Sequence, residues 1–215
     1  MGQRSVQRAR LPALVVMLAM MGALGSANSA DLPSTTPSPP DAAPAPSFDP
    51  QNFELRFGAF AHGVGGAERG TYDLNPEVVF PGLPFGQGQW WSALIPRAHI
   101  GGLINLEGRT SAAYAGGLWT IPLPYRFFAE LFIDGDKHDG YLADPPPGRS
   151  GLGCPYLFHA GGSLGYRVSA HWSVMFTFDH QSNGHGVFGT ECDGMGSYTH
   201  NPGINDYGLR AGYAF

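Results

Sequence analysis

The chain is poor in the features that would make it a helical membrane protein, a nucleic-acid binder or a zinc protein. Past residue 30 it has no run of eighteen apolar residues, which excludes a transmembrane helix in the mature part. Only 13% of its residues are charged, and Asp and Glu (17) outnumber Lys and Arg (12), so it offers no basic surface for nucleic acid. It has 2 cysteines, Cys154 and Cys192, with no CxxC pair or matching His cluster, and a zinc site is not expected.

What is present begins with an export signal. Arg4, Arg8 and Arg10 form a basic start, Leu11 to Gly25 is apolar, and Ala27 and Ala30 are small residues suited to cleavage. Residues 1–30 therefore read as a secretory signal peptide, too short for a membrane span. Its removal takes away those three arginines and moves the formal charge from -5 to -8. Residues 31–50 are rich in Pro, Ala, Ser and Thr and read as a disordered spacer, because such a composition buries too little apolar surface to offset chain entropy. Residues 51–215 are one domain's worth of chain. In an exported protein the default for Cys154 and Cys192, both in Gly-rich loop sequence, is a disulfide.

Within the domain, runs with a period near two alternate with Gly, Pro, Asn and Asp, and eight strands are expected. They span about Phe53 to Gly63, Thr71 to Phe80, Ala93 to Glu107, Ser111 to Ile121, Arg126 to Ile133, Tyr156 to Ser169, His171 to Ser182 and Asn205 to Phe215. One face is apolar throughout, as in Leu55, Phe57, Leu131, Ile133, Tyr207 and Leu209. The other mixes small residues with charges of both signs, including Glu54, Arg56, Glu130, Arg167 and Arg210.

A soluble barrel would bury the apolar face, and a membrane barrel turns it to lipid. The export signal and the even strand number favour the second. The aromatic-alternating last strand ending in Phe215 resembles the C-terminal assembly signal of bacterial outer-membrane barrels. The expected fold is all-β: an eight-stranded antiparallel transmembrane β-barrel of the bacterial outer membrane. With both termini periplasmic, Leu123 to Tyr125 and Ser169 to His171 become short inner turns. The two cysteines then fall in long outer loops. Pro81 to Ser92, with Trp90 and Trp91, is long for an inner turn, and those tryptophans suit the inner interface.

The run Trp172 to Gly184 carries the chemistry. Trp172, Val174, Phe176 and Phe178 share the apolar face, and by parity His180 and Ser182 continue it. On this topology the last two strands are neighbours, which brings Asn205 to the same lipid-facing wall while Asp206 points inward. The bland alternative is that His180 and Ser182 are polar girdle residues.

The His-x-Ser-Asn-Gly run at 180–184, the Asn-x-Gly-Ile run at 201–204 and the terminal strand resemble the outer-membrane lipid A 3-O-deacylases of the PagL type. That resemblance implies an eight-stranded barrel with a lipid-facing Ser-His-Glu triad that cleaves the ester-linked 3-hydroxyacyl chain of lipid A. It makes Ser182 the nucleophile and His180 the general base. Asn183 would assist the oxyanion, with Gly184 and Asn201 supporting. Where the family has glutamate two residues after Gly203, this chain has Asn205. Asn205 ranks first for the third position, Asp206 second and Glu191, in the outer loop with Asp193, third.

The implied activity is carboxylic ester hydrolysis by a serine hydrolase, with no cofactor and no metal. The implied partners are lipid A or lipopolysaccharide and outer-membrane lipid, with no nucleic acid and homodimerisation left open. The alternatives are a catalytically inactive structural or adhesive small barrel, and a soluble barrel that holds a lipid. Asp134 to Gly140 reads as an acidic outer loop that lacks the full calcium-loop pattern. His138, His185 and His200 read as solvated loop residues, and Trp119, Trp172 and Tyr213 as interfacial aromatics.

Overall fold

The computed structural model describes residues 52–85, 94–183 and 203–215. The signal peptide, the spacer, Trp90, Trp91, Gly184, His185, Glu191, Cys192, Asp193, His200 and Asn201 lie outside these residues. The strands are β1 (Glu54–His62), β2 (Thr71–Val79), β3 (Arg97–Asn105), β4 (Ala112–Pro122), β5 (Phe127–His138), β6 (Tyr156–Arg167), β7 (Trp172–Ser182) and β8 (Ile204–Ala214). Each pairs antiparallel with its sequence neighbours, and β1 pairs with β8 to close an eight-stranded barrel.

The barrel is inverted relative to a soluble one. Phe57, Ile100, Leu131, Ile133, Leu164, Phe176 and Leu209 are exposed on the outer wall. Inside, Glu54, Arg56, Glu77, Glu130, Asp134, Thr177 and Arg210 are buried alongside Phe60, Leu118, Phe132 and Met175. A continuous apolar exterior around a packed polar interior is the arrangement of a bilayer-spanning barrel. Phe127, Tyr166, Trp172, Tyr213 and Phe215 gather near the end that holds the β4–β5 and β6–β7 turns, with Trp172 and Tyr213 in edge contact at 4.9 Å. Amphipathic rings at that level suit a headgroup girdle.

The lumen is held by ion pairs. Arg56 donates to Glu130 Oε1 at 2.7 Å and to Glu54 Oε2 at 3.0 Å, and Arg210 Nη1 lies 2.9 Å from Glu77 Oε2. Glu77 thus joins the charged residues singled out from sequence. Arg167 lies over the Phe128 ring, 4.9 Å from its centroid.

One segment departs from expectation. Asp134 to His138 is not an outer loop but the last part of β5. Asp134, Asp136 and His138 face inward and are buried, while Gly135 and Lys137 face out. The carboxylates keep the period-two alternation, and Asp134 accepts from His99 Nε2 and His159 Nδ1 at 2.7 and 2.9 Å. His138 is likewise buried rather than solvated, with its Nε2 2.6 Å from the Cys154 carbonyl oxygen.

At the opposite end from the short turns, Glu68 of the β1–β2 turn ties the connections together. Its carboxylate accepts the Thr110 amide at 2.8 Å, the Thr110 hydroxyl at 3.0 Å and the Ser150 amide at 2.9 Å. Arg149 Nε lies 3.2 Å away and His62 Nε2 at the same distance. Burial opposes the charge, but the bonds from His62, Ser150 and Thr110 outweigh it and hold the Glu68 carboxyl down to about 2.

Candidate active site on the barrel wall

The site is built by the β7–β8 ladder. Ser173, Met175, Thr177, Asp179 and Gln181 of β7 are buried inside, so Trp172, Val174, Phe176, Phe178, His180 and Ser182 project from the outer wall. In β8 the same parity sends Asn205, Tyr207 and Leu209 outward and Asp206, Gly208 and Arg210 inward. The register sets His180 opposite Asn205 and Phe178 opposite Tyr207.

The pairing becomes a hydrogen bond. His180 Nδ1 lies 2.7 Å from Asn205 Oδ1, with both side chains part-buried. Asn205 Oδ1 can only accept, so the imidazole donates from Nδ1, and Nε2 is left for another partner. On the other side of β7, His180 faces Ala160, which leaves room around the ring. Below the pair, toward the middle of the wall, the Phe178 and Tyr207 rings are 4.9 Å apart and Phe176 is 6.4 Å from Tyr207.

Gly203, the residue before β8, supports the imidazole. It has φ of 69°, in the left-handed region that favours glycine, and a Cβ added there would stand 2.5 Å from His180 Cε1 and 2.6 Å from the Gln181 carbonyl oxygen. The glycine is therefore required by backbone and by ring together. Sequence reasoning treated it as part of a motif and missed this contact, although a Gly directly before a strand is a visible signal for close approach.

Ser182 follows His180 on the same face, with Cα atoms about 7 Å apart at the rise of an extended strand. It pairs in register with Phe158 of β6. Asn183 leaves the strand and turns toward the β5–β6 loop, where a Cβ on Gly153 would be 3.2 Å from its Nδ2. That loop packs on the start of β8 through a buried apolar cluster of Leu152, Cys154, Leu157 and Ile204.

Of the three candidates for the third position, the structure brings Asn205 to His180. Asp206 faces the lumen, where its Oδ1 accepts the Gly63 amide at 2.7 Å, on the far side of the wall from the imidazole. Strict alternation without a bulge accounts for this placement. Glu191 lies outside the described residues.

No family model matches this chain, and no curated protein matches it. Among solved structures it is similar to a chain from a study titled "De novo design of transmembrane beta-barrels", at 10% identity and a TM-score of 0.48, covering 77% of this chain and 97% of that one.

Proposed function

We propose that the protein is an outer-membrane serine esterase of the lipid A 3-O-deacylase kind, working on substrate that diffuses in the plane of the membrane to the β7–β8 wall. The observation that carries the reading is the His180–Asn205 hydrogen bond on the lipid side, a polar pair that with Ser182 ends the apolar face of Trp172, Val174, Phe176 and Phe178. Leaving such groups toward hydrocarbon is costly unless they act. Phe176, Phe178 and Tyr207 below them supply an apolar track for an acyl chain.

In this mechanism Ser182 Oγ attacks the ester carbonyl while His180 Nε2 takes its proton. The tetrahedral oxyanion forms near the polar end of the strand, with Asn183 as the amide donor. Its collapse breaks the ester C–O bond, and the imidazolium returns the proton to the leaving sugar oxygen. Water then hydrolyses the acyl-serine by the same base. Asn205 holds the productive tautomer but lends no charge to the imidazolium, so the chemistry is slower than with a carboxylate there.

Delivery to a bacterial outer membrane after signal cleavage belongs to the same proposal, as does pairing of Cys154 with Cys192. Cys154 is buried beside Ile204 and is not a free thiol. Such a pairing would staple the β5–β6 loop to the connection that follows Ser182. Reducing and non-reducing peptide mapping of the folded protein tests it.

The test of function is expression in a bacterium lacking this activity, followed by mass spectrometry of extracted lipid A. Loss of one 3-hydroxyacyl group with the wild-type protein, absent with Ser182→Ala and His180→Ala, is expected. Unchanged lipid A beside folded wild-type barrel would leave the structural or adhesive reading.

A further inference from the structure

Directly behind the His180–Asn205 pair, on the lumen side, stands an excess of buried carboxylates. Asp179 and Asp206 are register partners in the β7–β8 ladder, and both are 0% exposed. Two inward carboxylates directly opposite each other repel unless something lies between or beside them. Asp206 Oδ2 and both oxygens of Asp179 have no hydrogen-bond partner, and neither does Gln181 Oε1. The charged contact of Asp179 is with His159 Nε2 at 3.5 Å.

Beside them His62 offers Nδ1 at 2.8 Å from Asp73 Oδ2 and 3.4 Å from Asp206 Oδ1. One ligand atom from each of His62, Asp73 and Asp206 falls within 4.8 Å of the others. For a metal with bonds of about 2.0–2.2 Å, ligand atoms in a tetrahedral shell stand roughly 3.3–3.6 Å apart: the His62–Asp206 separation already matches, and the His62–Asp73 hydrogen bond would open by about 0.5 Å to admit the ion. The other ring nitrogen, Nε2, faces the Glu68 carboxylate at 3.2 Å. A histidine that ligates through one nitrogen and donates the other to a carboxylate is the usual construction of a metal-bound imidazole.

We infer that the lumen holds a divalent transition-metal site in which His62 Nδ1, Asp73 and Asp206 ligate the ion and Glu68 orients the imidazole, with the Asp179 carboxylate standing behind Asp206. One nitrogen with hard oxygens suits Zn2+ or Mn2+ better than Ca2+, which favours an all-oxygen shell. Binding replaces the proton on Nδ1: the ion enters, one proton leaves, and Asp73 and Asp206 exchange a shared N–H for a shared metal. The ion would join β1, β2 and β8 at one point. It would also relieve the Asp179–Asp206 repulsion in the register that sets His180 opposite Asn205. This site is independent of the esterase reading, because its test needs no substrate.

The experiment refolds the tag-free full chain into detergent with and without ZnCl2, removes excess ion by gel filtration and measures bound metal by mass spectrometry. Heat-modifiable gel migration verifies folding in every sample. Roughly one Zn2+ per folded wild-type chain is expected, with a visible-band Co2+ spectrum of tetrahedral intensity when Co2+ is substituted. Asp206→Asn and Asp73→Asn should lose the bound ion, whereas Glu68→Gln should weaken it about 10–100-fold. Ser182→Ala should bind as wild type does. Less than about one-tenth of an ion per folded wild-type chain, or undiminished zinc in folded Asp206→Asn, would overturn the site. Should Asp206→Asn fail to fold, Glu68→Gln and the Co2+ spectrum decide the question.

Discussion

Gly203 lies against the His180 ring so closely that a Cβ added to it would stand 2.5 Å from Cε1. Gly203→Ala should therefore displace the imidazole from Asn205, with further strain from the left-handed backbone. Deacylation should fall by about 10²-fold while the barrel still folds, since misplacing a catalytic group by about 1 Å costs that much. Lipid A mass spectrometry combined with heat-modifiable migration checks both halves of the statement.

Asn205 sets the tautomer of His180 without charge, and substitution should separate those two contributions. Asn205→Ala removes the acceptor 2.7 Å from Nδ1 and should lower the deacylation rate by about 10²-fold. Asn205→Asp keeps an acceptor and adds charge, so its rate should exceed that of the wild type. Initial rates on purified lipid A in mixed micelles make the comparison, and a rate for Asn205→Ala equal to wild type would remove Asn205 from the mechanism.

Arg56 is enclosed by Glu54, Glu77 and Glu130 in the lumen, with its side chain 1% exposed. Arg56→Met leaves these carboxylates facing each other and should cost about 3–5 kcal/mol. The double variant Arg56→Met, Glu130→Leu should recover much of that loss. Urea unfolding of the barrel in phospholipid vesicles, followed by gel migration, measures the series.

Glu68 gives a pH window outside the membrane. Its carboxyl is held down to about 2 against an ordinary value of 4.5, so its contribution to the turn network is complete above pH 4.5 and is lost as pH falls toward 2. Protection of the Thr110 and Ser150 amides from hydrogen exchange, corrected for intrinsic rates, should drop across that window. In Glu68→Gln the protection should be low and flat with pH.

The barrel was legible wherever side chains alternated cleanly. Leu55 to Ala61 and Phe127 to Ile133 announce their outer faces, the parity from Trp172 to Phe178 puts His180 outside, and that of Asn205, Tyr207 and Leu209 puts Asp206 inside. Composition misled at Asp134 to His138, where three charges in five residues looked like water-exposed loop. In an inverted barrel the charged residues belong to the packed interior, so charge density there marks a strand as readily as a turn. Nothing in the sequence singles out Glu68. A lone carboxylate in the Gly-rich stretch from Gly63 to Gly70 has the appearance of an ordinary surface charge, and its partners Thr110 and Ser150 are distant in sequence. In the sequence Gly203 is only part of a motif, because the ring it supports is revealed by the β7–β8 register alone.

The carbonyl of Asn205 accepts the Val64 amide at 2.8 Å while its side chain meets His180. The same residue is thus gripped from the last hairpin on one side and from the first strand's turn on the other, across the seam that closes the ring. A sheet whose β1 and β8 have not yet met holds Asn205 from the β7 side only. Ring closure thus adds a second hold on the strand that carries Asn205, so the backbone under the His180–Asn205 pair is fixed from both sides only once β1 has joined β8.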